Sequence, residues 1–96
     1  MPIALTPRQR ARLKARAHAL NPVVQVGQAG VSDALVAEVD RSLTAHGLIK
    51  VKLAGADRDT RDALRDDLCV RTDATPVQQV GQVLVLWRPR PDDEPL

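Results

Sequence analysis

The stretch from Leu48 to Ala54 constrains the fold more than any other part of the chain. Ile49, Val51 and Leu53 alternate with Lys50 and Lys52. A period of two places the three apolar side chains on one face and the two lysines on the other, as in a strand with one buried side. Helical patterns flank it on both sides. A strand–helix–strand order calls for parallel strands joined by right-handed crossovers, so this segment already points to an α/β fold.

The remaining elements follow from period and punctuation. Thr6 is placed to cap a helix, Pro7 suits its first position, and Gln9 completes a capping box. This first helix is expected to run to about Ala19, with Leu13, Ala17 and Leu20 as its apolar stripe. Asn21-Pro22 ends it, because a residue before proline avoids the helical region. Val23 to Val26 reads as a strand and Gly27-Gln28-Ala29-Gly30 as a loop. Ser32 caps a second helix from about Asp33 to His46, with Leu35, Val36, Val39 and Leu43 inside and Gly47 as its left-handed stop. After the turn at Gly55-Ala56-Asp57, a third helix spans about Arg58 to Thr72, with Ala63, Leu64 and Leu68 expected inside. Val77–Val80 and Val83–Trp87 form a hairpin around Gly81-Gln82. The fold class is α/β in the order α-β-α-β-α-β-β, a four-stranded mixed sheet with packed helices. One domain is expected over residues 1–90, followed by a disordered acidic tail over 91–96.

The net charge of +2 conceals a strong segregation. Residues 1–22 hold Arg8, Arg10, Arg12, Lys14 and Arg16 and no acid, whereas residues 23–75 carry seven bases and nine acids. A basic segment on a nearly neutral body suits a polyanionic partner. Arg8, Arg12 and Arg16, at i, i+4 and i+8, are expected to share one phosphate-contacting helix face. Lys50 and Lys52 are expected to share the exposed sheet face, with Arg88 joining them.

Several chemistries lack the residues they need. His18 and His46 fall at helix C-termini, where the helix dipole alone accounts for them. A single cysteine, Cys69, gives neither a disulfide nor a cysteine-based metal site. The acids of the third helix interleave with Arg58, Arg61 and Arg65, as on a solvated face. No apolar run reaches the roughly 20 residues of a membrane span, and no signal-peptide pattern opens the chain. The expectation is a cytoplasmic, non-enzymatic protein with no metal, cofactor, membrane or small-molecule substrate. With no Phe, no Tyr and one Trp, the sheet lacks the aromatic platform on which RRM domains stack bases. Trp87 is expected in the core.

The G-x-x-G loop lies between a strand and a helix start. Its glycines permit tight turning and close backbone approach, and the helix amides behind it can face an anion. The same pattern also reads as a plain strand-to-helix turn, and Asp33 in the first helical turn would oppose a phosphate. Together, Gly27-Gln28-Ala29-Gly30, Leu48-Ile49-Lys50-Val51-Lys52 and Val83-Leu84-Val85-Leu86-Trp87-Arg88-Pro89 resemble the CRM domain (chloroplast RNA splicing and ribosome maturation). The opening Leu13…Ala17-His18…Leu20-Asn21-Pro22-Val23-Val24 is similar too. The resemblance covers residues 5–90 and is to the bacterial stand-alone YhbY type.

That resemblance implies RNA binding, association with precursors of the large ribosomal subunit, a role in ribosome assembly, and a fold similar to the C-terminal domain of translation initiation factor three. The family's loop maps onto Gly27, Gln28, Ala29 and Gly30, and its basic strand onto Lys50 and Lys52. Gln82 stands where relatives often have lysine, Trp87 where they often have tyrosine, and Gln28-Ala29 carries no base. The alternative is a protein-interaction adaptor that reaches ribosomal particles through a ribosomal protein. Oligomeric state, the RNA sequence bound and the assembly step stay open.

Overall fold

The computed structural model describes residues 4–27 and 29–91. The elements are α1 (Pro7–Ala17), β1 (Pro22–Val26), α2 (Asp33–His46), β2 (Leu48–Leu53), α3 (Arg58–Thr72), β3 (Thr75–Val80) and β4 (Val83–Trp87). The expected order and fold class are both present. Of the expected acidic tail, all but Pro91 lies outside the described residues.

The sheet order is β1-β2-β4-β3. β1 and β2 pair in parallel, and β4 runs antiparallel to both β2 and β3. β2 and β3 are therefore parallel, as a strand–helix–strand unit requires, but they are not neighbours. β4 lies between them because Leu84, Val85, Leu86 and Trp87 are all buried. A strand that is apolar on both faces belongs in the sheet interior.

Three layers result. On one face α2 and α3 cover Val24, Val26, Ile49, Val51, Leu53, Leu84 and Leu86. On the other, α1 brings Leu13 and Ala17 against Leu48, Val77, Val85 and Trp87. Trp87 is 8% exposed, a core residue as expected. The capping box forms at the α1 start: Thr6 Oγ accepts from the Gln9 amide, and the Gln9 side chain accepts from the Thr6 amide. α1 stops at Ala17, two residues short of the expected end, with His18 as its cap.

Two further differences have clear physical causes. Ala63 is exposed, and the inner face of α3 is Leu64, Leu68, Cys69 and Thr72. Ala63 is about 100° around the helix from Leu64, and the larger leucines set the buried face. Thr72 is tolerated inside because its hydroxyl donates to the Leu68 carbonyl at 2.7 Å. β3 begins at Thr75, two residues before the expected Val77, and so includes Pro76. An edge strand accommodates a proline, and the pairing is irregular between Pro76 and Gln78. Arg10 of α1 donates to the carbonyls of Pro76, at 3.0 Å, and Val77, which anchors the helix across that edge.

Cys69 is buried, and that burial pushes its thiol up to about 11 from an ordinary 9.0. Between these pH values the unfolded chain has released the thiol proton while the native chain retains it. The stabilisation is complete below pH 9 and is lost as pH rises to about 11. At ~1.4 kcal/mol per pH unit, the loss totals about 2–3 kcal/mol. Urea unfolding from pH 8.5 to 11 should show this extra decline in the native protein and not in Cys69→Ala. Parallel curves would refute the assignment.

Candidate nucleic-acid interface

The glycine loop caps the end of the sheet where β1 and β2 finish. Gly30 has φ +68°, a conformation that favours glycine, and an added Cβ would sit 3.8 Å from Leu64 Cδ2. Gly27 differs: its φ lies outside the left-handed region and a Cβ there would meet nothing within 4 Å. The Gly30 amide donates to the Gly27 carbonyl at 3.1 Å, closing a four-residue turn, and the Ser32 amide donates to the Gly30 carbonyl at 3.1 Å. Gln28 lies outside the described residues, and Ala29 is exposed.

Behind the loop, Ser32 Oγ accepts from the Leu35 amide at 3.1 Å. The amides of Asp33 and Ala34, in the first turn, are left without an intrahelical acceptor at the positive end of the helix dipole. The Asp33 carboxylate does not stand alone there. Arg71 of α3 pairs with it at 2.5 Å and also donates to the Val31 carbonyl at 2.8 Å. The local negative charge that would oppose an anion is thus offset by an arginine that sequence spacing did not reveal, since 38 residues separate the partners.

Lys50 and Lys52 lie on the α1 side of the sheet, opposite Ile49, Val51 and Leu53, as the alternation required. Lys52 is level with Gln25 on β1 and Val83 on β4, close to the loop end of the sheet. The loop itself leads over that end toward α2 on the other face. Lysines and loop therefore share one rim, not one face.

α1 lies across the opposite end of the sheet, so its two flanks look in different directions. Lys14 and His18 line a groove with Lys50, Gln78, Val80 and Val83, toward the loop end. Arg16 lines a separate groove with Leu20, Val23, His46 and Leu48, away from it. Arg8, Arg12 and Arg16 are all exposed and form the expected stripe. That stripe does not converge on the lysines or the loop. Lys14 was missed because it was counted with the general charge of α1. Its place directly beside Leu13 in sequence marks it as a residue at the border of the buried stripe.

Arg88 does not join the lysines. It follows the alternation of Leu84 and Leu86 onto the α2–α3 side. There its guanidinium pairs with Asp40 at 2.6 Å and donates to the Thr72 carbonyl at 2.8 Å and to Thr44 Oγ1 at 2.9 Å. By contrast, Arg8, Arg12, Lys14, Arg16, Lys50 and Lys52 form no ion pair among the described residues. Among those residues no cluster of His, Cys, Asp or Glu could hold a metal ion, and no helix is long and apolar enough to cross a membrane.

Fold and site define a small three-layer α/β domain with a cationic, partly open sheet face and a glycine turn at its rim. The chain belongs to the CRS1/YhbY (CRM) domain family, whose model matches residues 5–88. It is 45% identical over 85 residues to an RNA-binding protein of Haemophilus influenzae, spanning 88% of this chain and 86% of that one. It is 42% identical over 89 residues to a protein of Pseudomonas aeruginosa named a probable RNA-binding protein, spanning 93% and 86%. A solution structure of a hypothetical Staphylococcus aureus protein, described as a candidate RNA binder, matches with a TM-score of 0.82 at 27% identity over 95% of each chain.

Two predictions separate structural from contact roles. Gly30→Ala should cost about 1–2 kcal/mol, the penalty of a left-handed alanine, while Gly27→Ala should leave the urea midpoint unchanged. Equal costs at both positions would contradict this division. Arg88→Met should cost about 1 kcal/mol, by removing the part-buried bond to the Thr72 carbonyl and the exposed pair with Asp40, and should not alter the salt dependence of polyanion binding. A flattened salt slope in the folded variant would return Arg88 to the interface.

Proposed function

We propose that this protein binds RNA without catalysing a reaction, through the Gly27–Gly30 turn and the cationic layer formed by α1 and β2. The observation that carries the proposal is a group of six bases on the α1–β2 layer that form no ion pair among the described residues. Lys14, Lys50 and Lys52 border the open sheet, and Arg8, Arg12 and Arg16 extend the same layer outward. Cations without protein partners are available to release counterions from a nucleic-acid backbone. The loop adds positional definition, because backbone amides and a helix start hold a phosphate in one place. Relatives named as RNA-binding proteins support this reading. Precursor large-subunit ribosomal RNA and a role in ribosome assembly are the partner and process that the family resemblance suggests.

Binding to protein-free large-subunit RNA, measured against salt, tests the proposal. Replacing Arg8, Arg12 and Arg16 with Gln should flatten the slope of log K against log salt by about 2–3. Gln28→Asp with Ala29→Asp should lower affinity at least tenfold, about 1.4 kcal/mol, with little change in melting temperature. Affinity that survives high salt and requires a ribosomal protein would instead support an adaptor.

A further inference from the structure

We infer that the groove between α1 and the uncovered end of the sheet receives an unpaired nucleobase of the bound RNA. This rests on the RNA-binding reading and adds to it a ligand group and a place.

The groove encloses about 430 Å³, within the ~300–1,000 Å³ typical of small-ligand pockets. Its floor is apolar: Val83 and Val85 of β4 with Val80 of β3. Val80 is 61% exposed and Val83 partly exposed, so this edge of the floor faces water in the free protein, with the buried Val85 at its back. Its rim is basic, with Lys14 and His18 from α1 and Lys50 from β2, and among the described residues no acid lines it. Gln78 contributes a carboxamide with no hydrogen-bond partner among the described residues.

These features together select a base. A phosphate alone would be drawn to the lysines but gains nothing from three valines. A duplex presents its phosphates outward and keeps the apolar faces of its bases stacked inside. An unpaired nucleotide offers an apolar face for the valines, a polar edge for a carboxamide and an adjoining phosphate for Lys14 or Lys50. The single tryptophan is buried beneath α1, so no aromatic ring competes for or supports the base. Contact with valine methyls discriminates little among bases, which leaves any preference to Gln78, whose carboxamide both donates and accepts. The groove exists because α1 covers only the Leu48–Trp87 end of the sheet. Lys52 and the glycine loop continue the rim, so a strand following that rim would carry successive phosphates past the groove.

The test uses the full chain and three RNA probes of equal length: a single strand, the same strand with abasic residues, and a duplex. Nuclear magnetic resonance should show the methyls of Val80, Val83 and Val85 and the Gln78 side-chain amide shifting with the single strand only. Gln78→Ala with Val80→Ser changes one partly exposed and one exposed residue, and its melting curve reports on folding. It should weaken the intact single strand about fivefold or more and leave the abasic strand unaffected. Equal binding of intact and abasic strands overturns the inference while RNA binding itself stands. Groove shifts produced equally by inorganic phosphate or by polyglutamate reduce the site to a patch of charge and also overturn it. If none of the RNA probes binds, the inference and the proposed function fall together.

Discussion

The pairing of β2 with β4 governs the rest of the molecule, because both strands are buried on both faces at only one end. Leu48 lies level with Trp87, and Ile49 with Leu86, and all four are buried. Four residues beyond Leu48, Lys52 is level with Val83 and the α1 side is open. An 11-residue α1 is about 16 Å long. It lies across the Leu48–Trp87 end and has no length left to roof the other. The unroofed end holds the lysines, the valine floor and the rim that the glycine loop completes.

Charge follows the layers. The ion pairs between Arg71 and Asp33, Arg88 and Asp40, and Arg65 with Asp62 and Asp66 all lie on the α2–α3 side. That layer contains the acids, and Arg71 and Arg88 are engaged there in holding helices to one another and to the sheet, while Arg41 and Arg58 form no ion pair among the described residues. Such partly exposed pairs each contribute modestly to stability, but together they remove those cations from external use. Among the described residues the α1 layer has no acid to pair with. A segregation along the sequence becomes a segregation between the two sides of the sheet.

Much of the fold was legible because the local signals agree with one another. The capping box at Thr6 and Gln9, the strict alternation of β2 and the hairpin glycine each specify their own geometry, and tertiary packing did not override them. The errors arose where a residue's role depends on a distant neighbour. The expected start at Val77 leaves out Thr75 and Pro76, which join β3 because it is an edge strand whose carbonyls Arg10 donates to. Ala63 looked apolar enough to be inside until larger leucines claimed the inner face. Arg88 resembled the basic residues of a binding surface, and its partners Asp40 and Thr72 lie far from it in sequence.

The sequence by itself determined the seven elements, the mixed four-stranded sheet, the position of the glycine turn and the excess of bases in the first 22 residues, because period, capping and composition are local properties. Only the tertiary structure decided which bases are available. α1 crosses the sheet, which turns Lys14 toward Lys50 and Arg16 toward His46. β4 takes the interior place and carries Arg88 to the opposite side from the lysines. Helix orientation and strand order are set by how apolar faces fill space against one another, and no segment of the chain encodes that alone.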